Sequence, residues 1–269
     1  MSKTAPKKSF YIGWQAEMPN AQRQAIRRFI IPIFVLIPVI AIAIVFFQKS
    51  FNDHTFELGK LTTIKGVYQA NPVPILVADP GQVPKGVSRN ILLVGYGKFG
   101  AESIMETIAA RHGKLEGKKL SLEGTLIYGD GKTVMELTKK QDAFIKLGAT
   151  LVPPKIQYEY ANAQTLRGEI LDPKCYFGVM KPGEGKIHKS CAIRCISGGI
   201  PPVFRTLVRR EPNLYEYYIL RGKDNQAINQ AILPFVAEDV KLTGNIQKHG
   251  DDWKVLYLDP QDIALLPKN

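Results

Sequence analysis

A chain of 269 residues is long enough for one large domain or two small ones, and its 45% apolar content supplies real cores, which excludes a disordered polymer. Lys and Arg number 36 against 24 Asp and Glu, a net charge of +12 that would ordinarily raise nucleic acid as a partner. Residues 1–48 hold Lys3, Lys7, Lys8, Arg23, Arg27 and Arg28 against Glu17 alone and supply +5 of that charge. The remainder is only mildly basic, and no nucleic-acid partner is expected.

The basic tail, 1–28, leads into Phe29 to Phe47, FIIPIFVLIPVIAIAIVFF, nineteen residues without a charge. At 1.5 Å per residue this run reaches about 28 Å, enough to cross a hydrocarbon core. A cleavable signal peptide has a shorter apolar region and a small-x-small cleavage site. Here the run leaves through two phenylalanines into Gln48, Lys49 and Ser50, which reads as a retained, single-pass membrane anchor. Pro32 and Pro38 are tolerable in a membrane helix. The basic residues before the span place the N-terminus in the cytoplasm and everything from about residue 50 outside the cytoplasmic (inner) membrane, which in a bacterium is the periplasm.

After the anchor, turn residues punctuate short apolar runs about every ten positions, the pattern of a mainly β protein. Strands are expected at Leu61–Ala70, Ile75–Ala78, Ile91–Val94, Lys119–Tyr128 and Thr133–Leu137, then at Thr165–Leu171, Val203–Val208, Tyr215–Leu220, Asp239–Gln247 and Trp253–Leu258. One helix is expected in each half, Ala101–His112 and Gln226–Phe235. Landmarks recur in order: Gly66 and Gly168, Gly97-Lys98 and Gly222-Lys223, then Leu120-Ser-Leu-Glu-Gly124 and Val240-Lys-Leu-Thr-Gly244, at offsets of 102, 125 and 120 residues. These point to an internal duplication. Three strands, a helix and two strands is the order of an OB-type barrel. The expected architecture is two OB-like β-barrel domains, 55–140 and 161–262, joined by a linker at 141–160 that contains Pro153-Pro154.

Familiar catalytic and phosphate motifs fare poorly. Gly95-Tyr-Gly97-Lys-Phe-Gly100 is a G-x-G-x-x-G between strand and helix, and Glu123 ends the next strand where a ribose-binding acid would stand. The external side of a membrane offers little nicotinamide cofactor, and the second half repeats only Gly-Lys, so a structural need for glycine at the strand exit is the favoured reading. Gly131-Lys132-Thr133 lacks the glycine of a phosphate loop, since Leu126 stands there, and Asp130-Gly131 reads as a hairpin turn. Nothing matches HExxH, GxSxG or CxxCH. His54, His112 and His249 are isolated and expected in solvent. Tyr215, Tyr217 and Tyr218 are expected to pack, and Arg205, Arg209 and Arg210, though suited to single-stranded nucleic acid, would lie outside the membrane.

All three cysteines, Cys175, Cys191 and Cys195, fall with His188 between Gly168 and Pro202. If Ile187–Ile196 is a short helix ended by Gly198-Gly199, positions 188, 191 and 195 share one face within an arc of about 60°. Cys175 could close the group. Three Cys and one His is a complete tetrahedral set for zinc and a soft set suited to copper(I), and an iron–sulfur cluster could use the same ligands. Lys186, Lys189 and Arg194 nearby would favour thiolates. A disulfide from Cys175 to Cys191 or Cys195 is the alternative, leaving one thiol over.

The stretches D-P-K-C-Y-F-G-V-M-K-P-G at 172–183 and H-K-S-C-A-I-R-C-I-S-G-G-I-P-P at 188–202 resemble a motif of uncharacterised bacterial exported and membrane-anchored proteins. The resemblance covers roughly residues 165–260, implies a cell-envelope protein and brings no activity with it. The sequence thus reads as a membrane-anchored envelope protein whose distal barrel carries a Cys/His centre, a metal-binding or redox accessory subunit beside other membrane or envelope proteins. An interaction protein with a disulfide-stapled loop and an envelope oxidoreductase are the alternatives.

Overall fold

The computed structural model describes residues 17–47, 54–138, 143–150, 160–207, 214–249 and 253–267. The chain divides into two units, 1–50 and 51–269. The first holds helix α1 (Asn20–Phe47), which contains Pro32 and Pro38 and buries none of its residues. It starts before the apolar run, with Arg23, Arg27 and Arg28 in its leading turns, and is long and apolar enough to cross a membrane.

The second unit is two closed five-stranded barrels. The first barrel contains β2 (Thr62–Gln69), β3 (Ile75–Ala78), β4 (Asn90–Val94), β5 (Lys118–Gly129) and β6 (Lys132–Leu137). They run in the order β5-β2-β3-β4-β6, and pairing of β5 with β6 closes the circle. Only β4 and β6 are parallel. The second barrel contains β8 (Tyr160–Leu171), β9 (Val203–Leu207), β10 (Tyr215–Gly222), β11 (Asp239–His249) and β12 (Trp253–Leu258). It repeats this connectivity, with β10 and β12 as the parallel pair. That connectivity is the OB-type Greek-key barrel, and all ten expected strands take part in it. Short strands β1 (Thr55–Phe56) and β7 (Phe144–Thr150) pair with β5, and β13 (Ile263–Leu265) pairs with β11. The segment expected as a linker therefore begins with a strand of the first sheet, while Pro153-Pro154 lies outside the described residues.

The helices depart from the expected symmetry. Helix α2 (Glu102–His112) sits between β4 and β5 and buries Met105 and Ile108. The corresponding stretch of the second barrel, Gln226–Phe235, is not a helix but a run of turns ending in the 3-10 turn Leu233–Phe235. Pro234 lacks an N–H and disfavours helical geometry in the residue before it. The second barrel's helix is instead α3 (Gly185–Ser197), inserted between β8 and β9.

Register makes the duplication explicit. Gly66 lies opposite Leu120, and Gly168 lies opposite Val240. A Cβ on Gly66 would stand 2.4 Å from the Val77 carbonyl oxygen and one on Gly168 1.9 Å from that of Arg205, each on the neighbouring second strand. Gly124 and Gly244 likewise abut the carbonyls of Glu136 and Tyr257. Since Val94 pairs with Glu136 and Arg221 with Tyr257, the partner of Gly222 is Gly95, two residues before the landmark expected at Gly97.

Equivalent faces of the two barrels meet. Ile91, Leu93 and Met135 point into the first barrel, whereas Ile75, Leu92 and Val134 join a core shared with Val203, Ile219, Trp253 and Val255 of the second. Strands such as Ile91-Leu-Leu-Val94 and Tyr217-Tyr-Ile-Leu220 show no polar alternation because both of their faces are buried. Trp253 donates its Nε1–H to the Asn90 carbonyl across this seam at 3.0 Å.

Candidate metal centre

The three cysteines and His188 lie beside the seam, carried by the 171–203 connection of the second barrel. After β8, residues Cys175–Val179 form a π-helical turn, which buries Cys175, Tyr176 and Phe177. Helix α3 then follows, so the expected short helix forms. Ala192 and Ile196 join the second barrel's core, while Cys191 and Cys195 turn toward the core shared with the first barrel. Gly198 and Gly199 end the helix, and Gly199 takes φ +99°, a conformation that favours glycine.

The same glycines explain G-x-G-x-x-G. Gly100 donates its N–H to the Gly198 carbonyl at 3.0 Å, and a Cβ on Gly100 would stand 2.2 Å from the Gly199 carbonyl oxygen. A Cβ on Gly198 would meet the Lys98 carbonyl oxygen at 1.9 Å. Two glycine motifs far apart in sequence are one backbone-to-backbone joint between the barrels. The space a pyrophosphate would need beside Gly100 is filled by the end of α3. Buried Lys174 locks this loop, donating from Nζ to the carbonyls of Gly95 (3.2 Å) and Gly97 and pairing with Glu136 at 2.8 Å. Asp130-Gly131 forms the expected hairpin turn, both residues having positive φ.

At the centre, the donor atoms of Cys175, His188 and Cys191 all lie within 4.8 Å of one another. A second triad, Asp172, Cys175 and Cys195, meets the same criterion and shares Cys175 with the first. Three of the four expected ligands thus form one group, and Cys195 stands in the other with Asp172, a residue the sequence reading passed over. The sulfurs of Cys175 and Cys191 are 3.9 Å apart, and the three cysteines are free thiols. His188 is 1% exposed, and neither ring nitrogen has a hydrogen-bond partner. Burial holds its pKa below the ordinary imidazole value, and the Lys98 charge acts in the same direction, which favours the neutral ring with a free lone pair. The Cys175 thiol is pushed up by its hydrogen bond with Cys195, by burial and by the Asp172 carboxylate.

The cation at the thiols comes from the other barrel. Lys98 Nζ lies 2.9 Å from Cys191 Sγ and 3.9 Å from Cys195 Sγ, and the bond to Cys191 raises the lysine's pKa. Lys186 and Arg194, expected in this role, are exposed, and Lys189 pairs with Glu238 at 2.6 Å. Lys98 was legible only as the fourth letter of a decoy motif, because its approach to Cys191 depends on the docking of two barrels.

A second polar chain crosses the seam. His54, expected in solvent, is buried; it donates from Nδ1 to the Tyr176 carbonyl at 3.0 Å, and its Nε2 lies 3.1 Å from Asp130. Tyr217 donates to the same carboxylate, and its hydroxyl lies 3.2 Å from that of Tyr176. Arg205 donates to the Tyr176 hydroxyl and pairs with Glu169 and Glu184, which consumes the guanidinium within the barrel; Arg209 and Arg210 lie outside the described residues. Tyr217 and Tyr218 pack as expected, each 2% exposed. The chain matches no protein-family model, no curated protein and no solved structure, so the geometry of the site carries the functional reading by itself.

Proposed function

We propose that the chain is a membrane-anchored cell-envelope protein whose second barrel binds a soft metal through Cys175, His188 and Cys191, with Cys195 beside them, and serves as a metal-binding or redox accessory subunit of a membrane complex. The observation that carries this reading is the His188 imidazole, sealed from water, without a hydrogen bond, and within 4.8 Å of two thiols. An unpartnered buried polar ring destabilises a fold, and coordination supplies the missing partner. Sulfur and imidazole donors suit zinc or copper(I), and an iron–sulfur cluster draws on the same groups. Half-buried Cys191 and exposed Lys98 give the site a mouth through which an ion or an electron can reach a partner. The arginines ahead of the apolar part of α1 support an orientation with the barrels outside the cytoplasm. The bacterial envelope setting that the Asp172–Pro202 motif implies belongs to the same proposal.

The 3.9 Å separation of Cys175 and Cys191 favours a second reading, in which a disulfide staples the 173–200 segment and a partner docks on it. Both are tested on the full chain in detergent, purified anaerobically and in air, by elemental analysis beside a free-thiol count. Bound zinc, copper or iron with protected thiols supports the first reading, and Cys191→Ser then lowers the metal content. No metal, with one free thiol per chain in air, supports the staple and ends the metal reading.

A further inference from the structure

We infer that the centre holds two metal ions bridged by the Cys175 thiolate, with His188 and Cys191 completing one side and Asp172 and Cys195 the other. This rests on the metal reading above. Two thiolates bound to one zinc at about 2.3 Å each cannot stand more than about 4.6 Å apart, and a tetrahedral angle brings them closer. The donor atoms of this site do not gather around one such point. They form two triads, each within 4.8 Å, and Cys175 Sγ is the atom common to both.

Each triad contains its own unpartnered buried group. His188 supplies one, as described. Asp172 supplies the other: the residue is 0% exposed, its Oδ1 accepts the Lys174 backbone N–H at 3.0 Å, and its Oδ2 has no hydrogen bond. The neighbouring ammonium of Lys174 is directed away, to Glu136 and to the Gly95 and Gly97 carbonyls. A carboxylate buried with a bare oxygen beside two thiols is a cation ligand in waiting, independent of the imidazole on the far side of Cys175. Among the described residues, Lys98 is the one ammonium in contact with the sulfurs. Cys, His and Asp are all ordinary zinc ligands, which makes a zinc-type divalent ion the class expected. Each ion would have three protein donors and a fourth position open to an incoming ligand.

The test uses the full chain in detergent, reduced and metal-free, dialysed anaerobically against Zn(II), with bound zinc measured by elemental analysis per chain. Two equivalents are expected for the wild type, one for Asp172→Asn and none for Cys175→Ser, because the bridge serves both ions. Co(II) in place of Zn(II) gives the same stoichiometries by sulfur-to-cobalt absorption. One equivalent in the wild type overturns the two-ion inference and leaves the metal reading standing. No zinc, with three titratable thiols, overturns the two-ion inference and confines the metal reading to copper or iron, which the elemental analysis above decides. Two equivalents retained by Asp172→Asn also overturn the assignment. Asp172→Asn preserves shape and its retained single equivalent reports an intact fold, so the decision does not depend on whether Cys175→Ser folds.

Discussion

The two barrels share strand connectivity and register and differ in where each carries extra chain. The first places helix α2 between its third and fourth strands, where the helix buries Met105 and Ile108 in that barrel's own core. The second has only turns there and puts its insertion between the first two strands, from Leu171 to Val203, where every cysteine lies. Its helix serves two masters, packing Ala192 and Ile196 inward and presenting sulfur to the seam. An OB scaffold leaves chemistry to its connections, and the duplicated partner becomes the wall against which one connection is organised. The first barrel has no cysteine, yet it contributes Lys98 and the Glu136 that holds Lys174.

The largest test of that division is Trp253→Ala. Trp253 is fully buried in the shared core, and removing it should cost about 3–5 kcal/mol in denaturant unfolding. A loss below about 1 kcal/mol would mean the seam contributes little to the second unit's stability. Next come the matched glycines. Gly66→Ala and Gly168→Ala should each destabilise by about 1–3 kcal/mol, the second more, since its Cβ approach of 1.9 Å is tighter than 2.4 Å. Tolerance of alanine at one site and not the other would break the structural equivalence. The contribution of Lys98 is smaller and chemical. In the reduced, metal-free chain, Lys98→Gln should slow alkylation of Cys191 by about 3- to 10-fold, since the sulfur loses the ammonium 2.9 Å away. An unchanged rate would confine the first barrel to a packing role.

The smallest effect is the pH dependence of the polar chain. The His54 ring, 3.1 Å away, first, and the Tyr217 hydroxyl hold the Asp130 carboxyl below the usual carboxylate range, against the opposing effect of burial. Its ionised form therefore stabilises the fold. That contribution is complete above the unfolded value of about 3.9 and is lost as pH falls through the lower folded value. Asp130→Asn, which keeps a residue suited to the positive φ of that turn, should flatten the stability profile in this acidic window, and an unaltered profile would remove Asp130 from the seam's electrostatics.

The strands were legible because turn residues bracket short runs of β-branched and aromatic side chains, and that local chemistry survives in the fold. Gly66 and Gly168 were legible as landmarks because close strand approach admits nothing larger. The helix expected at Gln226–Phe235 from its place in the strand order is absent, because Pro234 lacks an N–H and disfavours helical geometry in the residue before it. The helical spacing of His188, Cys191 and Cys195 revealed a shared face but not that Cys195 would stand with Asp172. Asp172 looked like one polar residue before a proline; only burial and a bare oxygen distinguish it. Lys98 and His54 owe their roles to contacts spanning 93 and 122 residues, which no local pattern encodes.

The shared core joins two copies of one surface. Ile75 and Val203, Leu92 and Ile219, and Val134 and Val255 are equivalent positions, and all six meet in one interface. A surface that contacts its own counterpart is the signature of an isologous homodimer. Here the two copies of that face belong to one chain, so their pairing does not depend on protein concentration. The joined halves are also free to differ, one carrying the sulfur ligands and the other the Lys98 that faces them.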